Sequence, residues 1–359
     1  MQPILQMKNV GISLPALNTR FDVLSDVSLE VYPGEVVGVA GESGSGKSMT
    51  GKALLNLLPA GAQVRGEINF NGVDLRKLDE RGWRELRGGK IAMVSQDPTA
   101  SLHPMLTVGE QLTDHLRTHL GYKKTTARKR ACELLEQVRI ADPDRALKSF
   151  PHQFSGGMRQ RISIAIALAA GPKLVVADEP TTALDVTVQA GILHLFRQLS
   201  KEMDLSVIFI THDLGVLSAL AERTYIVYAG RIMETAPTDE LTGHPRHPYA
   251  KALLQARPET VDSGAGRGVL RPIPGQPVTA STAPAGCPFA TRCPDRIEAC
   301  TPLVPPLVPV SEPASQRNQH LVACVVHAPA PSLGESLPGS GAPQDSSKAT
   351  VDSKAKDRV

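Results

Sequence analysis

The sequence lacks a long uninterrupted hydrophobic run and carries little net charge. Its longest apolar stretch, residues 162–177, is broken by Gly171, Pro172 and Lys173, so it is too short to span a bilayer. The N-terminus shows neither the apolar region nor the cleavage site of a secretory signal. A net charge of +3 over 359 residues gives no electrostatic case for nucleic acid as a partner. We therefore expect a soluble, intracellular protein.

Cysteine is scarce and unevenly distributed. Cys132 stands alone in a predicted helix, and the other four cysteines lie late in the chain, at Cys287, Cys293, Cys300 and Cys324. Structural disulfides are not expected inside a cell. The late spacing also lacks the close C-x2–4-C pairs that are typical of structural zinc, whereas four thiolates suit an iron–sulfur cluster. The spacing alone leaves both free thiols and metal ligation open.

The most informative motif lies at residues 41–48, which read Gly-Glu-Ser-Gly-Ser-Gly-Lys-Ser and form a complete phosphate loop. The motif follows the apolar run 36–40 and precedes a predicted helix, as its strand–loop–helix context requires. In this motif the lysine, Lys47, reaches the β- and γ-phosphates, and Ser48 binds Mg²⁺. We therefore predict that the chain binds a nucleoside triphosphate through Gly41, Glu42, Ser43, Gly44, Ser45, Gly46, Lys47, Ser48 and Met49.

Short runs rich in valine and isoleucine alternate with helical stretches after residue 36. This alternation is typical of a mostly parallel sheet with helices on both faces, so an α/β fold is predicted. Turn-rich, β-like patterning at 4–40 and 66–74 indicates a smaller antiparallel sheet beside it. The predicted strands are 36–40, 90–95, 174–178, 206–210 and 225–228, and the predicted helices are 49–58, 108–119, 126–138, 156–170, 186–201 and 213–221.

The composition changes twice towards the C-terminus. We predict a nucleotide-binding domain over residues 1–235 and an extension over 236–327, where proline and cysteine become more frequent. Residues 328–359 contain Pro, Ser, Gly and charge but almost no large apolar residue. Because such a segment buries too little surface to offset the entropy of ordering, we expect it to be disordered.

Two carboxylates follow an apolar run about 130 residues after the phosphate loop. Asp178 ends the predicted strand 174–178, at the sheet edge where ligands bind in such folds. It is a candidate Mg²⁺ partner through water, and Glu179 is a candidate base that orients the attacking water. A solvated loop is the alternative interpretation of the pair, and the strand before it and the phosphate loop upstream argue against that alternative.

Further polar residues stand at strand ends and at a helix start. Ser155, Gly156 and Gly157 open the predicted helix 156–170, either as an ordinary helix cap or as a second anion site that serves a neighbouring subunit's nucleotide. His212 follows the predicted strand 206–210, either as a polar strand-end residue or as a γ-phosphate contact. Gln96 follows the strand 90–95, where its amide could contact Mg²⁺ or the water.

The order and spacing of these motifs resemble those of the ATP-binding-cassette (ABC) ATPases over residues 1 to about 235. A narrower resemblance, to the oligopeptide/dipeptide (Opp/Dpp) importer branch, extends to about residue 327. It is carried by the segments that begin Ser95-Gln-Asp-Pro-Thr-Ala-Ser-Leu-His-Pro, Phe154-Ser-Gly-Gly-Met-Arg-Gln-Arg, His247-Pro-Tyr-Ala-Lys-Ala-Leu-Leu, Ile273-Pro-Gly and Gly286-Cys-Pro-Phe-Ala-Thr-Arg-Cys-Pro.

This resemblance implies a head-to-tail dimer of ATPase subunits that enclose ATP and Mg²⁺. The residues implied to contact the partner's ATP are Ser155, Gly156, Gly157 and Met158, with Asp185 at the dimer seam. Met158 stands where the general cassette pattern has another residue, but methionine is common in the branch. The implied catalytic residues are Lys47, Glu179 and His212, and those implied at Mg²⁺ are Ser48, Gln96 and Asp178.

The resemblance also implies contacts outside the phosphate site. Gln96 would sense the permease through a helical subdomain at about residues 100–155. An aromatic residue ahead of the phosphate loop usually stacks on adenine, and Phe21 is the candidate here. Some members of the branch carry a [4Fe–4S] cluster in the late cysteine segment, which favours a cluster held by Cys287, Cys293, Cys300 and Cys324.

The leading functional hypothesis is an ATPase subunit on the cytoplasmic face of the inner membrane that drives import of peptides or similar small solutes. Its partners would be a second ATPase subunit (a related one or a copy), two transmembrane permease subunits and, indirectly, a solute-binding protein. One alternative is a soluble ABC ATPase that acts on a ribosome or DNA, although neither a tandem cassette nor a long coiled-coil insertion is present. A third hypothesis, an iron–sulfur sensor with an inactive cassette, conflicts with the intact Lys47, Glu179 and His212.

Overall fold

The computed structural model describes residues 2–17, 19–182, 184–256, 272–311 and 316–328. The predicted disordered tail therefore lies outside the described residues, apart from Ala328. The strands are β1 Leu5–Pro15, β2 Arg20–Val31, β3 Val36–Ala40, β4 Gln63–Phe70, β5 Val73–Asp74, β6 Ile91–Val94, β7 Leu174–Asp178, β8 Ser206–Thr211, β9 Arg223–Tyr228, β10 Arg231–Pro237, β11 Val308–Pro309 and β12 Leu321–Val322.

The α-helices connect these strands and cover the larger sheet. Among the described residues, no helix combines the length and the hydropathy that crossing a membrane requires. The helices are α1 Lys47–Ala53, α2 Glu80–Leu86, α3 Pro98–Ser101, α4 Val108–Leu120, α5 Lys124–Gln137, α6 Pro143–Ala146, α7 Gly156–Leu168, α8 Val186–Met203, α9 Leu214–Leu220, α10 Thr238–Gly243 and α11 Pro248–Gln255.

The main sheet has eight strands in the order β11-β12-β10-β9-β3-β8-β7-β6. The five strands from β9 to β6 run parallel, with β3 between β8 and β9. The remaining strands, β10 to β11, pair antiparallel. The predicted α/β fold with a mostly parallel sheet is therefore confirmed, and the carboxyl ends of β3, β7 and β8 meet at one edge.

The second sheet is antiparallel, has the order β2-β1-β4-β5 and packs on one face of the main sheet. Alternate side chains of β3 show how the main sheet is covered: Val37 and Val39 join the core under the antiparallel sheet, whereas Val36 and Ala40 join the core under the helices. Because β3 is buried on both faces, it reads as a continuous apolar run rather than an alternating one.

Helix α1 differs from its predicted range of 49–58. It begins at Lys47, because the last residues of the phosphate loop form its first turn. The backbone N–H of Thr50 donates to the Gly46 carbonyl at 3.1 Å. It ends at Ala53, after which Leu54 and Asn56 donate to carbonyls only three residues earlier and tighten the chain out of the helix. Asn56 then takes a left-handed conformation, with φ of 51°.

The C-terminal extension is attached to the edge of the main sheet, an arrangement that the sequence pattern did not predict. Strand β12 pairs with β10, and β11 pairs with β12. The buried ring of His320 bridges Glu234 at 2.7 Å and Glu240 at 2.8 Å. These two carboxylates raise the pKa of His320 although its burial opposes the shift, which favours a charged anchor between the extension and β10.

Candidate active site

The predicted phosphate loop, the carboxylate pair and the strand-end histidine meet at one edge of the main sheet. The loop follows β3, Asp178 ends β7, and His212 follows β8. In the register of the sheet, Asp178 is paired with Ile210 of β8, and Ala40 of β3 is paired with Thr211. Parallel strands bring their carboxyl ends together, which is where ligands bind in open α/β sheets.

The glycines of the phosphate loop fit positions where a side chain would collide. Gly46 has φ of 104°, and a Cβ atom there would lie 2.6 Å from Cδ2 of Leu24 on β2. At Gly41, a Cβ atom would overlap the carbonyl oxygen of Val227 on β9. The loop is therefore packed closely between β2 and β9. Its backbone adopts conformations at Gly41 and Gly46 that residues other than glycine reach only with strain.

Lys47 lies inside the loop rather than in solvent. Its Nζ donates to the carbonyl oxygens of Gly41 at 2.8 Å and Glu42 at 2.9 Å. Burial lowers the pKa of Lys47, and the charges of the nearby carboxylates oppose that shift. The hydroxyl of Ser45 is buried without a hydrogen-bond partner among the described residues. A buried ammonium beside an unpaired hydroxyl suits an anion such as a phosphate group.

Ser48 and Asp178 are in direct contact, since the hydroxyl of Ser48 donates to Oδ1 of Asp178 at 2.9 Å. Burial raises the pKa of Asp178; the charge of Glu179 adds to this effect and the Ser48 hydrogen bond opposes it. Asp178 also lines a cleft of about 590 Å³ together with Gln96, whose side chain is exposed. An alcohol, a carboxylate and an amide oxygen are ligands that Mg²⁺ accepts.

Glu179 takes a left-handed backbone conformation, with φ of 47°, directly after β7. Its N–H donates to the carbonyl of Ile210 at 2.9 Å, and its Oε2 accepts from the hydroxyl of Thr182 at 2.9 Å. Nδ1 of His212 lies 3.6 Å from the same Oε2, and about 60% of the His212 side chain is exposed. A non-glycine residue held in this conformation is common at functional sites.

The predicted signature residues lie at the start of α7, where Ser155 caps the helix and its hydroxyl accepts from the Met158 N–H at 3.3 Å. Asp185 caps α8 and accepts from the Val188 N–H at 2.9 Å. A Cβ atom at Gly157 would lie 2.5 Å from Cγ1 of Val188, so the two helix starts are packed together. Whether they contact a second subunit's nucleotide stays a prediction.

Phe21, the predicted adenine-stacking residue, lies on β2 and is partly exposed. Val23, two residues further along β2, lies next to the phosphate loop. Its carbonyl oxygen would lie 3.1 Å from a Cβ atom placed at Gly46. Two residues of a strand span about 7 Å, which is the distance along β2 between Phe21 and this contact. Its contact with adenine stays a prediction.

Two residues that were not predicted as part of the site, Tyr249 and Arg292, contact Glu42 of the phosphate loop. The hydroxyl of Tyr249 accepts from the Glu42 N–H at 2.8 Å. Arg292 donates to both carboxylate oxygens of Glu42, and also to the hydroxyl of Tyr228. Tyr249 and Arg292 lie in two of the segments that carry the importer resemblance, and that resemblance was the only sequence signal for them.

The late cysteines are near one another in the structure. Burial raises the pKa of Cys287 to about 11, and the charges of the other three thiols add to this effect. The N–H of Cys287 donates to the carbonyl of Cys300 at 2.9 Å. Nevertheless, the described part of the chain contains no group of three His, Cys, Asp or Glu side chains that could hold a metal ion. The predicted [4Fe–4S] site is therefore not supported by the structure.

Comparisons with known proteins agree with this architecture. The ABC transporter family model matches residues 24–182, and the model for the oligopeptide/dipeptide transporter C-terminal region matches residues 233–300. The chain is 44% identical over 332 residues to the oligopeptide transport ATP-binding protein OppD of Bacillus subtilis (strain 168), covering 92% of this chain and 91% of that protein. The chain belongs to the ABC transporter family. It is also 44% identical to the dipeptide transport ATP-binding protein DppD of the same organism, over 85% of this chain and 91% of that one.

Solved structures of ABC cassettes share the fold. The ATP-binding cassette MJ0796, a dimer in a post-hydrolysis state bound to ADP and Pi, matches with a TM-score of 0.58 and 30% sequence identity. That match covers 65% of this chain and 98% of the cassette. The fold prediction is thus confirmed, and the importer resemblance at the level of the family is confirmed as well.

Proposed function

We propose that the chain hydrolyses ATP to drive the import of oligopeptides or dipeptides through a separate membrane permease. The observation that carries the proposal is the contact between Ser48 and Asp178 at 2.9 Å, because it brings the phosphate loop to the carboxylates at one sheet edge. The relatives OppD and DppD, both named as transport ATP-binding proteins, supply the substrate class. They also disfavour the alternative that the chain acts on a ribosome or DNA.

In the proposed reaction, Lys47 binds the terminal phosphates and stabilises the charge that develops on them. Glu179 orients the water for in-line attack on the γ-phosphate, and its carboxylate is fixed by Thr182. His212, next to Glu179, contacts the γ-phosphate. Ser48, Asp178 and Gln96 would hold Mg²⁺, which supplies further neutralisation of phosphate charge when it is bound.

The proposed partners follow from the family. A second ATPase subunit, either a related one or a copy, would place its own signature over this nucleotide, as Ser155, Gly156, Gly157 and Met158 would do in return. Two permease subunits and an indirect solute-binding protein complete the importer, with the chain on the cytoplasmic face of the membrane. We propose the domain division at residues 1–235 and 236–327, with the helical subdomain at about 100–155 as the contact to the permease.

Co-expression with candidate partners tests this function. The chain should co-purify with a membrane permease and a second ATPase subunit, and the reconstituted complex should couple Mg²⁺-dependent ATP hydrolysis to uptake of labelled peptides into vesicles. A peptide-free assay controls for uncoupled hydrolysis. Co-purification with ribosomes instead, or a complex that hydrolyses ATP but moves no peptide, would contradict the proposal.

A [4Fe–4S] cluster at Cys287, Cys293, Cys300 and Cys324 is a separate proposal. It is supported by the resemblance to the importer branch and by the proximity of four thiols, and not by ligand geometry. Anaerobically purified protein is expected to be brown, to absorb at about 400 nm and to contain iron and sulfide. The Cys132→Ser variant is the control and should keep the iron, whereas Cys300→Ser should lose it. Zinc, or no metal at all, in the unmodified protein would exclude the cluster.

A further inference from the structure

The C-terminal extension contacts the phosphate loop through a buried arginine. Arg292 and Glu42 form a two-point ion pair, with Nη1 to Oε2 at 2.6 Å and Nη2 to Oε1 at 3.0 Å. Only 3% of the Arg292 side chain is exposed, against 23% for Glu42. The pair joins two residues that lie 250 positions apart in the sequence.

The rest of the guanidinium is fixed by the extension and by β9. Its Nε donates to the Pro274 carbonyl at 2.8 Å, and its Nη1 donates to the Tyr228 hydroxyl at 3.2 Å. Burial lowers the pKa of Arg292, but the hydrogen bonds to Glu42 and Tyr228 outweigh it, so that the net shift is upward. The arginine is therefore held in one place as a permanent cation.

Other parts of the extension lie against the same loop. The Tyr249 hydroxyl on α11 accepts from the N–H of Glu42 at 2.8 Å. Thr279 reaches the loop as well, since its methyl group would lie 3.9 Å from a Cβ atom at Gly44. Glu42 is thus held through both its backbone and its side chain by residues outside the cassette motifs.

We propose that Arg292 is a positioning residue that pre-organises the phosphate loop for ATP, so that the C-terminal extension sets the nucleotide affinity of the site. The inference rests on the proposed function. Two parallel hydrogen bonds from a guanidinium fix a carboxylate in direction as well as distance, and lysine cannot reproduce that geometry. A loop that is already ordered loses less conformational freedom when its ligand binds, which raises affinity.

The test measures the dissociation constant for MgATP in the full-length protein, followed by KM and kcat. Arg292→Lys keeps the charge but loses the two-point contact, and Glu42→Gln removes the charge from the loop side. Each variant is expected to weaken MgATP binding by at least about fivefold. Arg292→Lys, which lies outside the phosphate loop, should keep its kcat at saturating ATP. Because both variants disrupt the same contact, the double variant should bind MgATP no more weakly than the weaker-binding of the two single variants.

The matched control is Arg317→Lys. Arg317 also links the extension to the cassette, because its guanidinium donates to the Glu222 carboxylate at 2.6 Å. This contact lies beside Glu35, just before β3 begins, whereas the phosphate loop lies at the other end of β3. This variant should bind MgATP as the unmodified protein does. An equal loss in Arg317→Lys, additive losses in the double variant, or unchanged affinity in folded Arg292→Lys would overturn the inference. If the unmodified protein fails to bind MgATP, the proposed function itself is wrong.

Discussion

Glu179→Gln is expected to lower kcat for ATP hydrolysis by about 10²- to 10⁴-fold, the usual contribution of a positioned general base. The substitution keeps the size of the side chain and its ability to accept the hydrogen bond from Thr182. It removes only the negative charge that would polarise the attacking water. MgATP should therefore still bind, and the ATP-bound dimer should accumulate because it cannot reopen through hydrolysis.

Single-turnover hydrolysis and size-exclusion chromatography in MgATP measure the two parts of this prediction. The control is Glu202→Gln, which makes the same chemical change at an exposed position near the end of α8. Glu202→Gln should hydrolyse ATP at the unmodified rate. Turnover by Glu179→Gln that matches this control would show that another group activates the water, and the left-handed backbone at Glu179 would then need a different explanation.

The parallel strands were predictable because each is a short local run of apolar residues. The predicted range 174–178 agrees with β7, and 206–210 differs from β8 by one residue. Strands β11 and β12 were not predicted, because each has two residues and forms only by pairing with a distant partner. Local pattern carries no information on such pairing, which depends on anchors such as His320 between Glu234 and Glu240.

The residues of the candidate site likewise divide into those that the sequence predicted and those that it did not. The phosphate loop, Asp178 and Glu179 could be placed from sequence, since a motif after a strand fixes its own position at the sheet edge. The ion pair between Glu42 and Arg292 could not be predicted, because it spans 250 residues. The phosphate-loop motif leaves the position of Glu42 unspecified, and Arg292 belongs to no motif with a known physical role. The late cysteines are an intermediate case. Their clustering was anticipated, but the described residues contain no group of three side chains placed to hold a metal ion.

Lys47→Ala is expected to weaken MgATP binding by about 10- to 100-fold, because hydrogen bonds to a charged group contribute about 1.5–3 kcal/mol each. Lys47 is 4% exposed, and its ammonium donates to two carbonyl oxygens of its own loop. Removal of the side chain therefore also leaves those carbonyls without their donor.

Titration with MgATP measures the affinity of Lys47→Ala, and thermal unfolding establishes that the variant is folded. The control is Lys77→Ala, which removes an exposed lysine beyond β5 and should not alter the dissociation constant. Unlike Glu179→Gln, the Lys47→Ala variant should form no ATP-trapped dimer, since it fails at binding rather than at chemistry. If a folded Lys47→Ala protein bound MgATP as tightly as the Lys77→Ala control, the loop at residues 41–48 could not be the phosphate site, and the contact between Ser48 and Asp178 would be structural only.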